Sequence, residues 1–149
     1  MTTRAGYQSI TPYLVCRDAV AAIDYYKQHF DAQEKYRLTM PDGSIAHAEI
    51  LIGDSVVMIA EENVSMGILS PQHLGGTGVT LNVYVDNPDT VCAAIASDEG
   101  SVLFAVADQF HGDRSGKVAD RFGHVWHIAT NKEEVSDQEI VARFNAIMS

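Results

Sequence analysis

An internal repeat constrains the fold of this 149-residue chain more than any other feature of its sequence. Residues 52–60 read IGDSVVMIA and residues 122–129 read FGHVWHIA, which places Gly53 and Gly123 in matching turns 70 residues apart. The same offset relates two earlier strand-like segments, each followed by a helix-like segment. Two copies of one module are therefore predicted, and the functional site is expected where their matching strands face each other.

The composition favours one compact domain, residues 1–149, that binds neither nucleic acid nor a membrane. A chain near ~150 residues buries about 68–70% of its unfolded surface, whereas a 60-residue piece buries about 60%, so both halves are predicted to share one core. The net charge is −10, and no lysine or arginine cluster offers a surface for nucleic acid or anionic lipid. Without a membrane-length apolar run or a signal-peptide pattern, we expect a cytoplasmic protein. Cys16 and Cys92 are predicted to be buried thiols.

Hydrophobic periodicity predicts a βαβββ order for the first module, residues 9–60. Its strand patterns cover residues 9–16, 33–40, 44–52 and 55–60, and its helix pattern covers residues 18–30. Glycine-containing tight turns separate the last three strands. Residues 61–78 show no periodicity and are interpreted as a linker.

The second module, residues 79–130, repeats this order with less definite boundaries. Asn87 and Pro88 supply an N-cap and a proline in the first helical position. Strand patterns cover residues 79–86, 102–106 and 124–130, whereas residues 108–119 fit either a strand or a loop.

A C-terminal helix, residues 135–148, is predicted beyond the repeat. Ser136 and Glu139 form a capping-box pattern at its start. Its apolar positions form one stripe, which must dock on the body or on a second subunit: Ile140, Val141, Phe144 and Ile147.

Paired modules with GDSVVMIA in the first and DRFGHVWHIA in the second resemble the vicinal oxygen chelate superfamily of glyoxalases, bleomycin-resistance proteins and extradiol dioxygenases. The segments HAEILIGDSVVMIAEE, SPQHLGG, DQFHGDRSGKVADRFGHVWHIAT and VSDQEI resemble its PhnB-like branch. The resemblance implies an α+β fold in which two βαβββ modules form curved mixed sheets, followed by a C-terminal helix. One departure is Arg121, which stands where the family's turn usually has proline.

Alternation of side chains along residues 44–52 assigns the two faces of that strand. Ala46, Ala48, Ile50 and Ile52 are apolar and are predicted to lie under the helix. His47 and Glu49 then project from the concave face, called the cup, about 7 Å apart. They are interpreted as a general acid/base pair that contacts a ligand or, with equal weight, as a satisfied polar pair that fixes the sheet register.

The predicted ligand-binding residues come from the same alternation and from aromatic or charged residues near the cup. They are Tyr13, Met58, Asn82, Tyr84, Phe110, Arg114, Trp126 and His127. Arg114 could reach an anionic substrate at the mouth of the cup or form a surface ion pair with Asp113. His127 could contact a ligand or be a core histidine with a backbone partner.

Resemblance to the metalloenzymes of the superfamily implies four metal positions, on the first and last strands of each module. They fall on Thr11, Met58, Thr80 and His127. Only His127 is a usual ligand, whereas an open divalent site needs about three N or O protein donors. We therefore predict no metal or other cofactor, and a displaced divalent site would have to use His47, Glu49 and His127.

Two functions follow from the resemblance and these residues. The first is a PhnB-like, metal-free protein that binds a small molecule in the cup between the modules. The alternative is a metal-dependent lyase, isomerase or dioxygenase of the vicinal oxygen chelate superfamily, with His47 and Glu49 as acid/base or as ligands. We expect a homodimer in which the linker or terminal helix of one chain covers the cup of the other.

Overall fold

Two α+β units make up the chain, as the repeat predicts. The computed structural model describes residues 2–149. One unit comprises the residues up to Gly78 together with Phe122–His124, and the other comprises Val79–Arg121 and Val125–Ser149. Each unit contains one four-stranded mixed sheet, so the predicted fold class, two βαβββ modules with a C-terminal helix, is confirmed.

The first module follows the βαβββ order, and its strands pair in the order β1-β4-β3-β2. Its elements are β1 (Tyr13–Cys16), α1 (Ala19–Phe30), β2 (Gln33–Thr39), β3 (Ile45–Ile52) and β4 (Ser55–Glu61). Strand β1 runs parallel to β4, and the other neighbours are antiparallel. The first strand begins four residues later than its sequence pattern suggests, directly after Pro12, which has no N–H to add to a ladder.

Helix α1 covers one face of this first sheet. The Asp18 side chain caps it by accepting a hydrogen bond from the Ala21 N–H at 3.0 Å. Ile23 and Tyr26 are fully buried on α1, as are Ile50 and Ile59 on the strands below. Burial of each such side chain contributes about 1.5–3 kcal/mol to the stability of the fold. Because this burial fixes the apolar face of the sheet against α1, the polar face lies on the other side.

The region between the last strand of the first module and the second module contains short helical turns. They are a 3₁₀ turn (Val64–Met66) and α2 (Pro71–Leu74). Ser70 caps α2, and its hydroxyl also donates to Glu62 Oε1 at 2.6 Å. The segment interpreted as a linker therefore has local structure of its own.

The second module repeats the plan with strand order β5-β8-β7-β6. Its elements are β5 (Thr80–Tyr84), α3 (Pro88–Ala96), β6 (Ser101–Asp108), β7 (Asp113–Ala119) and β8 (Val125–Asn131). The segment that fitted either strand or loop is a turn followed by β7, and Gly112 closes the turn with a positive φ of 104°. Helix α3 buries Cys92 and Ile95 on the side facing β6, β7 and β8.

Helix α4 (Asp137–Met148) follows the second module, and none of its residues is buried. Ser136 caps it by accepting from the Glu139 N–H at 3.2 Å, as the capping-box pattern predicts. Arg143 ties the helix to Glu133 and to the Phe110 carbonyl oxygen. None of the helices within residues 2–149 is long and apolar enough to span a membrane.

Candidate functional site

A single register row crosses the first sheet and carries its main polar groups. It runs Tyr13, Met58, Glu49 and Tyr36 across β1, β4, β3 and β2. Directly paired residues project from the same face of a sheet, as do residues two apart on one strand. These four side chains and His47 therefore share the face opposite α1.

Glu49 is a buried carboxylate, 1% exposed, and both of its oxygens accept hydrogen bonds. Tyr7 donates to Oε1, Tyr36 donates to Oε2 at 2.7 Å, and His47 Nε2 lies 2.7 Å from Oε2. Burial by itself would raise the pKa of Glu49, but the hydrogen bonds from His47, Tyr7 and Tyr36 lower it to about 2. Glu49 is therefore ionised at neutral pH, and the hydrogen bond that Tyr36 donates to it raises the pKa of Tyr36.

His47 connects the buried Glu49 to Tyr13. A carboxylate only accepts, so His47 Nε2 carries a hydrogen toward Glu49. The other ring nitrogen, Nδ1, lies 2.7 Å from the Tyr13 hydroxyl, and in a neutral ring it accepts that O–H. Tyr13 is 52% exposed, so this chain of hydrogen bonds leads from a buried charge to an accessible phenol. Such an arrangement can hold and move a proton at the Tyr13 oxygen.

Two cations flank the Tyr7 ring. Lys35 Nζ lies 4.4 Å from the ring centroid and 3.1 Å from the hydroxyl, and the Arg4 guanidinium lies 5.0 Å from the centroid. They place positive charge near the Glu49 network. The predicted pair of His47 and Glu49 is thus a hydrogen-bonded network with a larger set of partners.

The corresponding row of the second sheet has different chemistry. It runs Asn82, His127, Lys117 and Phe104 across β5, β8, β7 and β6. Lys117 occupies the place that Glu49 has in the first sheet, and its ammonium lies 5.3 Å from the Phe104 ring centroid. Phe104 is 66% exposed. The predicted pair Asn82 and His127 is brought together here.

A cavity of about 460 Å³ lies on this face of the second sheet. Its lining residues are Phe104, Ala105, Gln109, His111, Ser115, Gly116, Lys117 and His127. Ser115 is 1% exposed, and its hydroxyl has no hydrogen-bond partner within residues 2–149. The cavity therefore combines an apolar ring, a cation and an unsatisfied hydroxyl.

His127 is held in one orientation by Asn82. The two side chains hydrogen-bond through His127 Nδ1 and the Asn82 amide oxygen, so that Nδ1 carries the hydrogen. Burial lowers the pKa of His127, and electrostatic interaction with His111 and Lys117 lowers it further. The neutral ring is thereby favoured, with Nε2 available as an acceptor.

Tyr84 and Phe110, two other predicted ligand-binding residues, line a second cavity of about 800 Å³ near the start of α4. Its lining includes the carboxylates of Asp113 and Glu134. The Tyr84 hydroxyl donates weakly to Asp113 Oδ2 at 3.4 Å. The structure therefore places these two residues in an acidic cavity, apart from the row that contains His127.

Arg114 directly precedes Ser115, and Trp126 directly precedes His127. Because neighbouring side chains on a strand alternate, Arg114 and Trp126 lie on the opposite face of their strands. Arg114 donates to both Asp89 oxygens at 2.8 Å and to Asp108 at 3.1 Å, and these bonds raise its pKa. Trp126 is buried and donates to Asp120 at 2.9 Å. Their contacts are with the α3 side of the module.

Several residues of these sites were not predicted from the sequence. They are Tyr7, Tyr36, Phe104, Gln109, His111, Ser115 and Lys117. Tyr36 could have been found by strand alternation along β2. Ser115 and Lys117 fall in the segment whose type was ambiguous, so alternation could not be applied there, and Tyr7 precedes every regular element.

The donor set does not fit a divalent metal centre. The strand residues that pair with Met58 and His127 are Tyr13 and Asn82, rather than the threonines two positions earlier. A thioether, a phenol and an amide are poor metal ligands to combine with a single imidazole. No three His, Cys, Asp or Glu side chains within residues 2–149 lie together as a metal site requires.

The family model of the glyoxalase/bleomycin resistance protein/dioxygenase superfamily matches residues 7–128. The chain belongs to this superfamily. It is 37% identical over 141 residues to an uncharacterized protein of Mycobacterium bovis, covering 93% of each chain.

Solved structures share this superfamily fold. The PhnB protein of Bacillus cereus is similar, with a TM-score of 0.66 and 21% identity over 83% of this chain and 99% of that one. The fosfomycin resistance protein FosX of Listeria monocytogenes, solved with Mn(II) and sulfate, has a TM-score of 0.65 and 16% identity over 92% and 97% of the two chains.

Proposed function

We propose that this member of the superfamily binds a small molecule in the cavity lined by Ser115, Lys117 and His127. The observation that carries the proposal is Ser115, a residue of the cavity lining whose buried hydroxyl has no hydrogen-bond partner within residues 2–149. An unsatisfied buried polar group costs about 1–3 kcal/mol, and a ligand that bonded to this hydroxyl would recover part of that cost. The volume of about 460 Å³ suits a small molecule, since such sites span about 300–1,000 Å³.

Benzamide, a flat neutral probe with an amide donor and acceptor, tests this proposal by NMR titration of the ¹⁵N-labelled protein. We expect saturable shifts of the Gly116, Lys117 and His127 amides, because the probe can satisfy Ser115 beside the apolar ring. The Glu49 amide serves as an internal control and should not move. Absence of saturable shifts at the cavity, or shifts confined to the first module, would contradict the proposal.

A specific observation favours a second candidate, an enzyme that transfers protons. The hydrogen-bonded series Tyr13, His47 and Glu49 ends at an exposed phenol and contains a buried charge that orients the imidazole. This arrangement supports lyase or isomerase chemistry without a metal ligand set. Deuterium exchange beside the carbonyl of small ketones, followed by ¹H NMR in D₂O, should be faster with the wild type than with His47→Asn. Equal rates would remove this candidate.

We also propose that the protein is a homodimer that pairs through α4. Val141, Phe144 and Ile147 form an apolar stripe that is about half exposed on a helix with no buried residue. Such stripes are typical of protein interfaces. Sedimentation equilibrium should show a dimer for the wild type and a monomer for the Phe144→Gln/Ile147→Gln variant. A wild-type monomer, or a variant that stays dimeric, would contradict this assembly.

A further inference from the structure

We propose that the second module's cavity selects an aromatic carboxylate, with Lys117 and Ser115 binding the carboxylate and Phe104 contacting the ring. This inference rests on the proposed small-molecule binding and adds the chemical class of the ligand. The charge of the lining, the position of the hydroxyl and the exposed aromatic surface each support it.

The lining of this cavity is free of carboxylates, although the chain has 20 of them against 10 lysines and arginines. Within residues 2–149, the Lys117 ammonium contacts the Phe104 ring and has no carboxylate partner. The arginines of this module are all paired, as Arg114 is with Asp89 and Arg143 with Glu133. An unpaired ammonium in an acidic protein therefore leaves a positive charge for an anionic ligand.

Ser115 supplies a second donor on the same side of β7. It lies two residues before Lys117, so both side chains project from one face, about 7 Å apart along the strand. Its buried hydroxyl has no partner within residues 2–149, so its hydrogen is not committed to another group of the described chain. A carboxylate has two acceptor oxygens and can bond to the hydroxyl and the ammonium together.

Phe104 provides the surface for the rest of the ligand. It is the register partner of Lys117 on the edge strand β6, and 66% of its surface is exposed. Aromatic rings pack on one another in offset or edge-to-face arrangements, and a cation over the same ring favours an acidic substituent nearby. A flat ring bearing a carboxylate matches this combination of groups.

Benzoate and benzamide test the inference, because they share size and ring and differ in charge. Isothermal titration at one pH and one salt concentration should give a benzoate affinity at least about tenfold above that of benzamide. Lys117→Met should remove most of this preference and leave benzamide within about twofold. Lys132→Met, which makes the same charge change at an exposed lysine of the same module, should leave both affinities unchanged.

The outcomes separate this inference from the proposed function. Binding of both probes with equal affinity, or a preference that survives Lys117→Met, overturns the selection of an anion and leaves small-molecule binding intact. Failure of both probes to bind overturns both proposals. Inorganic phosphate, which lacks a ring, should bind at least about tenfold more weakly than benzoate. Equal affinities would overturn the proposed contact between Phe104 and the ring of the ligand.

Discussion

The two modules place different chemistry on the same register row. In the first, Glu49 stands between Met58 and Tyr36, buried and fully hydrogen-bonded. In the second, Lys117 stands between His127 and Phe104, with a cavity beside it. One sheet plan thus supports a hydrogen-bonded polar network around a buried carboxylate in one copy and a lysine beside a cavity in the other.

The difference comes from what covers each row. Tyr7, which precedes β1, brings a hydroxyl to Glu49, and its ring lies under two cations. In the second module the Lys117 ammonium lies over the exposed Phe104 ring, and no residue among 2–149 brings a carboxylate to it. The two modules therefore keep the same backbone register, while the residues that cover each row decide whether its central side chain is buried and paired or lies beside a cavity.

Among changes that test this difference between the modules, Glu49→Ala should lower the free energy of unfolding the most. Removing a buried carboxylate leaves two tyrosine hydroxyls and an imidazole without their acceptor, and such losses cost about 3–5 kcal/mol. Lys117→Ala, the matched change in the second module, should cost less than about 1 kcal/mol because it leaves no buried partner unsatisfied. Urea unfolding measures both. Equal destabilisation by the two changes would contradict the difference in burial and pairing between Glu49 and Lys117.

The turn glycines give the next largest contrast. Gly43 and Gly112 both have positive φ, 90° and 104°, so alanine costs about 1–2 kcal/mol at either position. A Cβ on Gly43 would meet open space, whereas one on Gly112 would lie 2.3 Å from the Glu133 carbonyl oxygen. Gly112→Ala should therefore be the more destabilising by about 1–3 kcal/mol in urea unfolding. Equal losses of stability for the two variants would mean that the backbone around Glu133 shifts away from the new Cβ at little energetic cost.

Acid should weaken the first module through Glu49. Its pKa is about 2 in the folded protein against an ordinary 4.5, so the folded state favours the ionised form. The resulting stability is present above pH 4.5 and is lost as the pH falls toward 2. The urea midpoint of the wild type should fall over this interval more steeply than that of Glu49→Gln. Parallel pH profiles would show that Glu49 does not have its lowered pKa.

The smallest effect is expected for Tyr13→Phe. The lost hydrogen bond to His47 is exposed, so the free energy of unfolding should fall by less than about 1 kcal/mol. The ¹⁵N chemical shift of His47 Nδ1 should nevertheless change, because this nitrogen loses its donor. Tyr84→Phe is the control, since its hydroxyl contacts Asp113 instead. An unchanged Nδ1 shift would argue against the proton-transfer candidate.

The repeated βαβββ plan could be predicted from the amino-acid sequence without any structure. Glycine turns, N-caps such as Asp18 and Ser136, and helical or alternating apolar patterns are interactions between residues close in sequence. For the same reason, alternation correctly placed His47 and Glu49 together on one face. Where the local pattern was weak, in residues 108–119, neither the strand nor its site residues Ser115 and Lys117 could be assigned.

The groups that complete each site depend on long-range packing and could not be predicted from the sequence. Tyr7 reaches Glu49 across 42 residues, and Arg114 reaches Asp89 on α3 across 25 residues. No periodicity encodes such pairs, because they depend on how a helix or a terminal segment packs over a strand. The sequence fixes the face from which a side chain projects, and long-range packing determines whether that side chain becomes buried and paired or remains open to a ligand.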